Sequence, residues 1–422
     1  MEMTITAKIQ LKTTEEQKRI LSGTMDAYRK SCKYVSDYVF SNHDYKQLSV
    51  HNSVYEQVRS LYKIGSQMTC SVIRTVLARY KSIKSSGLNC IKPKFKLPQY
   101  DLVWNRDYSL NKNVFSVNTL EGRIKIPYYS KVMEQYFDRS KYTFGTAKIV
   151  NKKGKFFLHI PVSFEVPECD ESQIQNVVGV DRGINFIVTT YDSKGKTGFV
   201  SGRNIKHIRA RYCDVRKQLQ MRKTSSSRRR LRLIGSRENR WMQDVNHCIS
   251  KALVLNHPKN SLFVLEDLSG IRNRRERIRR KFRYVSVSWS FYDLEQKIDY
   301  KVKKYGSKMI KVNPAYTSQT CPKCGHTEKS NRDKSKHLFT CRNCGYRSND
   351  DRIGAMNLYR MGIEYLVPGT VTSEHDLEVR GFVSDPDVTP RYSSRNIREN
   401  VGESKTRLLQ GSHKPISSDV GN

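Results

Sequence analysis

Cys321-Pro-Lys-Cys324-Gly and Cys341-Arg-Asn-Cys344-Gly, with sixteen residues between the pairs, constrain this chain more than any other feature. Two thiolates separated by two residues face one ion because the tight knuckle between them turns both the same way. The glycine after each second cysteine lets the backbone fold back towards sulfur. Two such knuckles at this spacing predict a structural zinc site with Cys321, Cys324, Cys341 and Cys344 as ligands. Free or redox-active thiols are the alternative, but they would not require two knuckles with a glycine in each. Four protein ligands leave zinc no open position, so the ion is expected to brace the fold and not to catalyse. Asp351 stands seven residues beyond the last cysteine, which sets a carboxylate capable of chemistry beside the metal site.

The charge balance points to the partner. Of 422 residues, 77 are Lys or Arg and 40 are Asp or Glu, a formal charge of +37. Each basic side chain that neutralises a phosphate releases a condensed counterion, so a surplus of this size favours nucleic acid. A membrane surface is the rival polyanion. It is not expected here, because the sequence has no run of eighteen apolar residues and no basic amphipathic helix with a broad aromatic face. The first residues lack a basic stretch followed by an apolar one, so the protein is expected in the cytoplasm, on the nucleoid when bound to DNA. Outside the two knuckles, Cys32, Cys70, Cys90, Cys169, Cys213 and Cys248 are scattered and read as plain core or surface residues.

Along the chain, residues 3–11 alternate polar and apolar, which is the period of a half-buried strand. Thr13-Thr-Glu-Glu16 reads as a capping box, and Leu21, Met25, Tyr28, Cys32, Val35 and Val39 follow at helical spacing. Helical character continues to Tyr80. From Ile91 to Pro167 short alternating runs such as Val114-Phe-Ser-Val-Asn and Phe156-Phe-Leu-His-Ile take over. This pattern predicts a β-barrel-like module with a helical segment, residues 14–88, inserted into it. Residues 201–240 carry eleven Arg and three Lys against Asp214 and Glu238, and residues 271–283 carry seven Arg. A solvated helix face normally mixes its charges more evenly, so both segments are read as phosphate-contacting. A short helix, Ile353 to Met361, is expected to close the compact part. The remainder has too few large apolar residues to offset its ordering entropy and is expected to be a disordered tail.

Three acids stand out by position. Asp181 ends the apolar run Val177-Val-Gly-Val, Glu266 ends Leu262-Phe-Val-Leu, and Asp351 sits at a helix start. A carboxylate at the end of a buried strand is costly to desolvate unless a cation balances it. Singly, each acid has a structural explanation, and Asp351 would make a good N-cap. Together, in a polycationic chain, they match the carboxylate set that clamps two divalent ions in phosphodiester hydrolysis. Their order, Asp, Glu, Asp, is that of an RNase H-like nuclease.

Taken in sequence, Gly179-Val-Asp181-Arg-Gly183, Leu265-Glu266-Asp-Leu268, Asn313-Pro-Ala-Tyr-Thr-Ser-Gln-Thr-Cys321-Pro-Lys-Cys324-Gly-His, Cys341-Arg-Asn-Cys344-Gly-Tyr and Asn349-Asp-Asp351-Arg-Ile-Gly-Ala-Met-Asn357 resemble TnpB. That is a transposon-encoded family of RNA-guided endonucleases related to compact type V CRISPR effectors. The matching motifs cover about residues 177–361.

The resemblance implies an α+β multidomain fold. Residues 1–13 and 89–172 would form a β-barrel wedge domain, and residues 14–88 a helical recognition lobe inserted into it. Residues 173–361 would form a RuvC/RNase H-like α/β nuclease domain with a zinc ribbon, residues 315–348, inserted, and residues 362–422 the tail. It also implies that Asp181, Glu266 and Asp351 bind catalytic Mg²⁺, that Arg332 lies near the scissile phosphate, and that Zn²⁺ is structural. Guide RNA and double-stranded target DNA would be the partners. The wedge and recognition lobes would read a short target-adjacent motif while guide pairing supplies sequence choice. Arg228, Arg229 and Arg230 in the first basic segment, with Arg274, Arg275, Arg279 and Arg280 in the second, would hold nucleic-acid phosphates.

One departure is visible: the family often has Asn-Ala-Ala where this chain has Ile353-Gly-Ala355. The swap is expected to pack small residues against the sheet and leave the acid in place. With all three acids present, cleavage is expected. A nuclease-inactive RNA-guided DNA-binding regulator and an RNase H-like DNA transposase are the other readings. The oligomeric state stays open, with a monomer favoured, and length and the simple ribbon lean towards a transposon-encoded protein.

Overall fold

The computed structural model describes residues 1–88, 91–97, 99–129, 131, 133–138, 140–268 and 291–367. The chain forms two compact units that divide at Glu165/Val166. It is a mixed α/β protein. No helix among the described residues is long and apolar enough to cross a membrane.

The first unit begins with β1 (Glu2–Gln10), which buries Met3, Ala7 and Ile9 on one face. Helices α1 (Glu15–Asn42), α2 (Gln47–Tyr62) and α3 (Ser66–Ser85) follow. The capping box lies one residue later than Thr13/Glu16. Thr14 Oγ1 accepts from Gln17 N (3.2 Å), and Gln17 Oε1 accepts from Thr14 N (3.1 Å). Glu15 and Glu16 are thereby left in the first turn, where the helix dipole favours them. Leu21, Met25, Tyr28, Cys32, Val35 and Val39 are all buried. They share one core with the strands β2 (Gln99–Leu102), β3 (Tyr108–Leu110), β4 (Val114–Thr119), β5 (Gly122–Pro127), β6 (Thr143–Phe144), β7 (Ala147–Lys152) and β8 (Lys155–Glu165).

The expected barrel is not closed among the described residues. The strands make one open sheet, β1-β8-β7-β2 with β6 also on β8, and a separate β3-β4-β5 sheet. An isolated bridge between Leu11 and Tyr128 joins the ends of β1 and β5. With β2 only four residues long and β3 only three, no ladder continues from one sheet into the other.

The second unit is built on β9 (Asn176–Asp181), β10 (Phe186–Asp192), β11 (Thr197–Ser201), β12 (Ser261–Glu266) and β13 (Lys308–Val312), in the order β11-β10-β9-β12-β13. The β11-β10-β9 part is antiparallel and β9-β12-β13 is parallel. Helices α4 (Arg203–Met221), α5 (Ser225–Ile234) and α6 (Arg237–Leu255) connect β11 to β12, and α7 (Phe291–Lys304) precedes β13. A small sheet of β14 (Arg332–Asp333), β15 (Leu338–Thr340) and β16 (Arg347–Asn349) then leads straight into α8 (Asp350–Leu366).

Strand period decides which residues meet which helix. Val178 and Val180 of β9, with Phe263 and Leu265 of β12, are fully buried in one cluster with α6 and α7. Each such side chain contributes about 1.5–3 kcal/mol by leaving water. The alternate set, Val177 with Leu262 and Val264, packs on α8 through Leu358. Asp181 and Glu266 belong to this second face by parity. Helix and sheet approach closely there because side chains are missing. A methyl group on Gly179 would lie 2.0 Å from the Ala355 carbonyl oxygen, and one on Gly362 would lie 2.6 Å from both Val177 and Val264. Helix α8 therefore runs past Met361 to Leu366, into the range assigned to the tail, because Gly362 is a packing residue and not a stop. Residues 368–422, the rest of that tail, lie outside the described residues.

Candidate active site and metal centre

The parallel register pairs Val180 with Leu265, so the next residues, Asp181 and Glu266, end neighbouring strands side by side. Asp351 comes to them from the first turn of α8. The cap of that helix is Asn349 and not Asp351: Asn349 Oδ1 accepts from Asp351 N (3.0 Å) and Arg352 N (3.2 Å). The Asp351 carboxylate is thus released from capping, and Gly354, one turn on, lies against Asp181.

The three acids feel one another. Removal from water pushes Asp181 well above the usual carboxylate range, and the charges of Glu266 and Asp351 push it further. Burial also raises Glu266, opposed by a 2.6 Å hydrogen bond from Thr317 Oγ1 and by the charges of Arg182 and Arg332. Asp351 is pushed up to about 6 by burial and by neighbouring Asp350, against Arg332 and His337. Crowded carboxylates with raised protonation are what a cation relieves, and their hard oxygens suit a magnesium-like ion.

Arg332 is brought to the same place. Its Nε donates to Asp350 Oδ2 at 2.8 Å and its Nη1 to Ser318 Oγ at 2.9 Å, while Nη2 stands 3.8 Å from Asp351 Oδ1. Arg182, next to Asp181, turns inward. Its buried guanidinium donates to Glu295 Oε2 (2.9 Å) and to the Glu266 carbonyl, tying the ends of β9 and β12 together.

Sequence reasoning missed Arg182, Thr317, Asp350, His337 and Asn357. Asn357 Nδ2 donates to the carbonyls of Thr317 (2.7 Å) and Thr320 (2.8 Å), which fixes the segment carrying the Glu266 partner. The Asp350-Asp351 doublet was a visible signal. The others depend on contacts between residues far apart in the chain.

The four cysteines converge. Cys321 Sγ and Cys344 Sγ are 3.6 Å apart, Cys324 Sγ and Cys341 Sγ 3.5 Å, and all four lie within 4.8 Å of one another. Tetrahedral zinc with bonds of about 2.3 Å requires sulfur separations of about 3.8 Å, so the set fits the ion. Both knuckles use the same turn. Gly325 N donates to the Cys321 carbonyl and Gly345 N to the Cys341 carbonyl, with φ of +74° and +72° at the two glycines.

Arg228, Arg229 and Arg230 are exposed on α5. Other arginines of the same basic segment are structural: Arg209 and Arg216 both reach buried Glu238, at 3.2 and 2.5 Å. Arg274, Arg275, Arg279 and Arg280 lie outside the described residues.

Comparison with known proteins agrees with this geometry. Residues 159–282 match the OrfB_IS605 family, described as "Probable transposase", and residues 291–358 match "Cas12f1-like, TNB domain". The chain is 28% identical over 299 residues to a CRISPR-associated endodeoxyribonuclease Cas12f1 of Syntrophomonas palmitatica, covering 67% of this chain and 58% of the relative. It is 30% identical over 184 residues to a TnpB-like protein of Methanocaldococcus jannaschii, covering 42% and 65%. The chain thus spans less than two thirds of the length of these relatives. Its fold resembles that of the protein in a Cas12f1–sgRNA–target DNA complex, with a TM-score of 0.57 at 14% identity over 82% of this chain and 83% of the other. The matched segments are thus similar to the OrfB_IS605 and Cas12f1-like families, and the resemblance to TnpB read from the ordered motifs is shown.

Proposed function

We propose that the chain is an RNA-guided DNA endonuclease that acts in the cytoplasm on double-stranded DNA, with a RuvC-like site and a zinc ribbon inserted before its last acid. The observation that carries this reading is the convergence of Asp181, Glu266 and Asp351 with Arg332 in a chain of charge +37. The nuclease activity named for the relatives supports it, and no carboxylate is lost, which disfavours a non-cleaving regulator.

Asp181, Glu266 and Asp351 would hold Mg²⁺, which when bound activates the attacking water and offsets charge on the phosphate. The chain's own residues do the rest. Thr317 occupies one oxygen of Glu266 and so orients the other. Arg182 keeps the two strand ends in register. Arg332 presents a guanidinium where phosphate charge builds up. The exposed arginines of α5 would take backbone phosphates without reading sequence. Cys321, Cys324, Cys341 and Cys344 would hold Zn²⁺ as a brace, with the buried Cys321 thiol, pushed up to about 12 chiefly by burial, giving up its proton on binding.

The test is to express the protein with its flanking genomic DNA, sequence the RNA that co-purifies, and assay Mg²⁺-dependent cleavage of DNA matching its variable end. One abundant RNA with a defined boundary, cleavage by the wild type, and loss of cleavage with retained RNA in Asp181→Ala are expected. Heterogeneous RNA fragments released by salt, or cleavage by Asp181→Ala, would overturn the reading.

A further inference from the structure

Asp350 is unlike the other acids of the site. Its side chain is fully buried, and one oxygen is held by Arg332 Nε at 2.8 Å. The other oxygen, Oδ1, lies 3.4 Å from His337 Nδ1, and neither of these two buried atoms makes a hydrogen bond in this structure. His337 lies in the turn between β14 and β15, in the left-handed region with φ +53°. Its carbonyl accepts from Asp350 N and from Asn349 Nδ2, both at 3.3 Å, so backbone and side chain of this turn grip the start of α8 together.

The remaining ring nitrogen decides where the histidine proton sits. Asn185 Nδ2 lies 2.6 Å from His337 Nε2. The amide is oriented by Lys206 of α4, whose ammonium donates to Asn185 Oδ1. With its oxygen engaged by a cation, Asn185 offers only N–H groups to the ring, so Nε2 must accept and the ring proton resides on Nδ1. That proton then lies beside the orphaned oxygen of Asp350, 3.4 Å away, and neither His337 Nδ1 nor Asp350 Oδ1 has another hydrogen-bond partner. A divalent ion on Nδ1 would have to displace the proton, beside a carboxylate that Arg332 already neutralises.

We propose that His337 is a positioning residue: its Nδ1–H fixes the Asp350 carboxylate, which in turn fixes the Arg332 guanidinium beside Asp351. This rests on the nuclease reading above and adds to it a fixed chain of contacts, Lys206–Asn185–His337–Asp350–Arg332, running from the basic helix α4 to the carboxylate cluster. A buried carboxylate oxygen left without a donor is costly. When the imidazole is removed, Asp350 reorients to regain a donor and Arg332 leaves its place.

Two substitutions separate positioning from folding. His337→Ala removes the donor. His337→Asn puts an amide nitrogen near the place of Nδ1, and asparagine adopts positive φ more readily than most residues, so this variant suits the turn. In single-turnover cleavage by the guide-loaded protein, His337→Ala is expected to be slower by about tenfold or more, with DNA binding unchanged, and His337→Asn to recover to within about threefold of the wild type. ¹⁵N-histidine spectra of the intact protein are expected to place the His337 proton on Nδ1. Wild-type cleavage by His337→Ala, a folded His337→Asn as slow as the alanine variant, or a proton on Nε2 would each overturn the proposal. If the wild type itself fails to cleave guide-matched DNA while the proton is found on Nδ1, the nuclease reading fails and the positioning contact stands.

Discussion

Gly354 lies against Asp181: a methyl group in place of its hydrogen would stand 3.2 Å from both Cγ and Oδ2 of that carboxylate. The contact is with a side chain, which can move by the few tenths of an ångström needed. At Gly179 the same methyl would meet the backbone of α8, 2.0 Å from the Ala355 oxygen and 2.5 Å from the Tyr359 nitrogen. Gly354→Ala is therefore expected to fold and to cleave within about tenfold of the wild type, since a full ångström of misplacement is needed for larger losses. Gly179→Ala is expected to cost about 3 kcal/mol, because helix and sheet must separate. Thermal melts and cleavage rates of the two variants check the contrast.

The carboxylate cluster works against the stability of the metal-free protein. Asp181 and Glu266 are both raised by burial, and Asp181 also by its acidic neighbours, so each charged form is disfavoured in the fold. Asp181→Asn is expected to abolish cleavage while raising Tm by roughly 2–4 °C, the equivalent of about 1 kcal/mol. The measurement belongs in magnesium-free buffer that leaves zinc in place.

Asp351 sets a pH dependence. Its folded value, about 6, lies above the usual aspartate range. In the metal-free protein it therefore contributes stability that is fully present below its unfolded pKa and is lost as pH rises through about 6. Ion binding runs the other way, because the cation must displace the proton. Affinity for Mg²⁺ is expected to fall roughly tenfold between pH 7 and pH 5, readable by titration calorimetry at the two values.

The basic segment divides into two kinds of arginine. Replacing Arg228, Arg229 and Arg230 together by Gln is expected to leave Tm unchanged and to lower the slope of log RNA affinity against log salt by about 2–3. Arg209→Gln is expected to lower stability by about 3 kcal/mol, since it removes one partner from buried Glu238. A loss of salt dependence in Arg209→Gln with no change in Tm would reverse the assignment.

Residues that announce themselves locally were readable in the sequence. Asp181 and Glu266 end apolar runs, and the cysteines carry their own spacing and glycines. Closure of the first sheet was not readable, because alternation predicts strands and says nothing about which edges meet. The helix expected to end at Met361 runs on, because the next residue, Gly362, is the point at which α8 crosses Val177 and Val264. Asp350 and His337 meet across a turn, and Asn185 joins them from 152 residues away, a link no local pattern encodes. Composition likewise could not separate Arg209, matched to Glu238, from Arg228 in solvent.

Asn349 is both the last residue of β16 and the cap of α8, so no hinge separates the strand leaving the second cysteine knuckle from the turn that carries Asp351. If both ions bind as proposed, the thiolate cluster and the carboxylate cluster are therefore linked thermodynamically. Whatever affinity for divalent ions zinc confers by holding the start of α8 must be returned in equal measure as tighter retention of zinc when the carboxylates are filled. On the proposed reading, a structural ion and a reactive one, held by different ligands but only seven residues of chain apart at Cys344 and Asp351, would act as cooperative ligands of a single rigid arm.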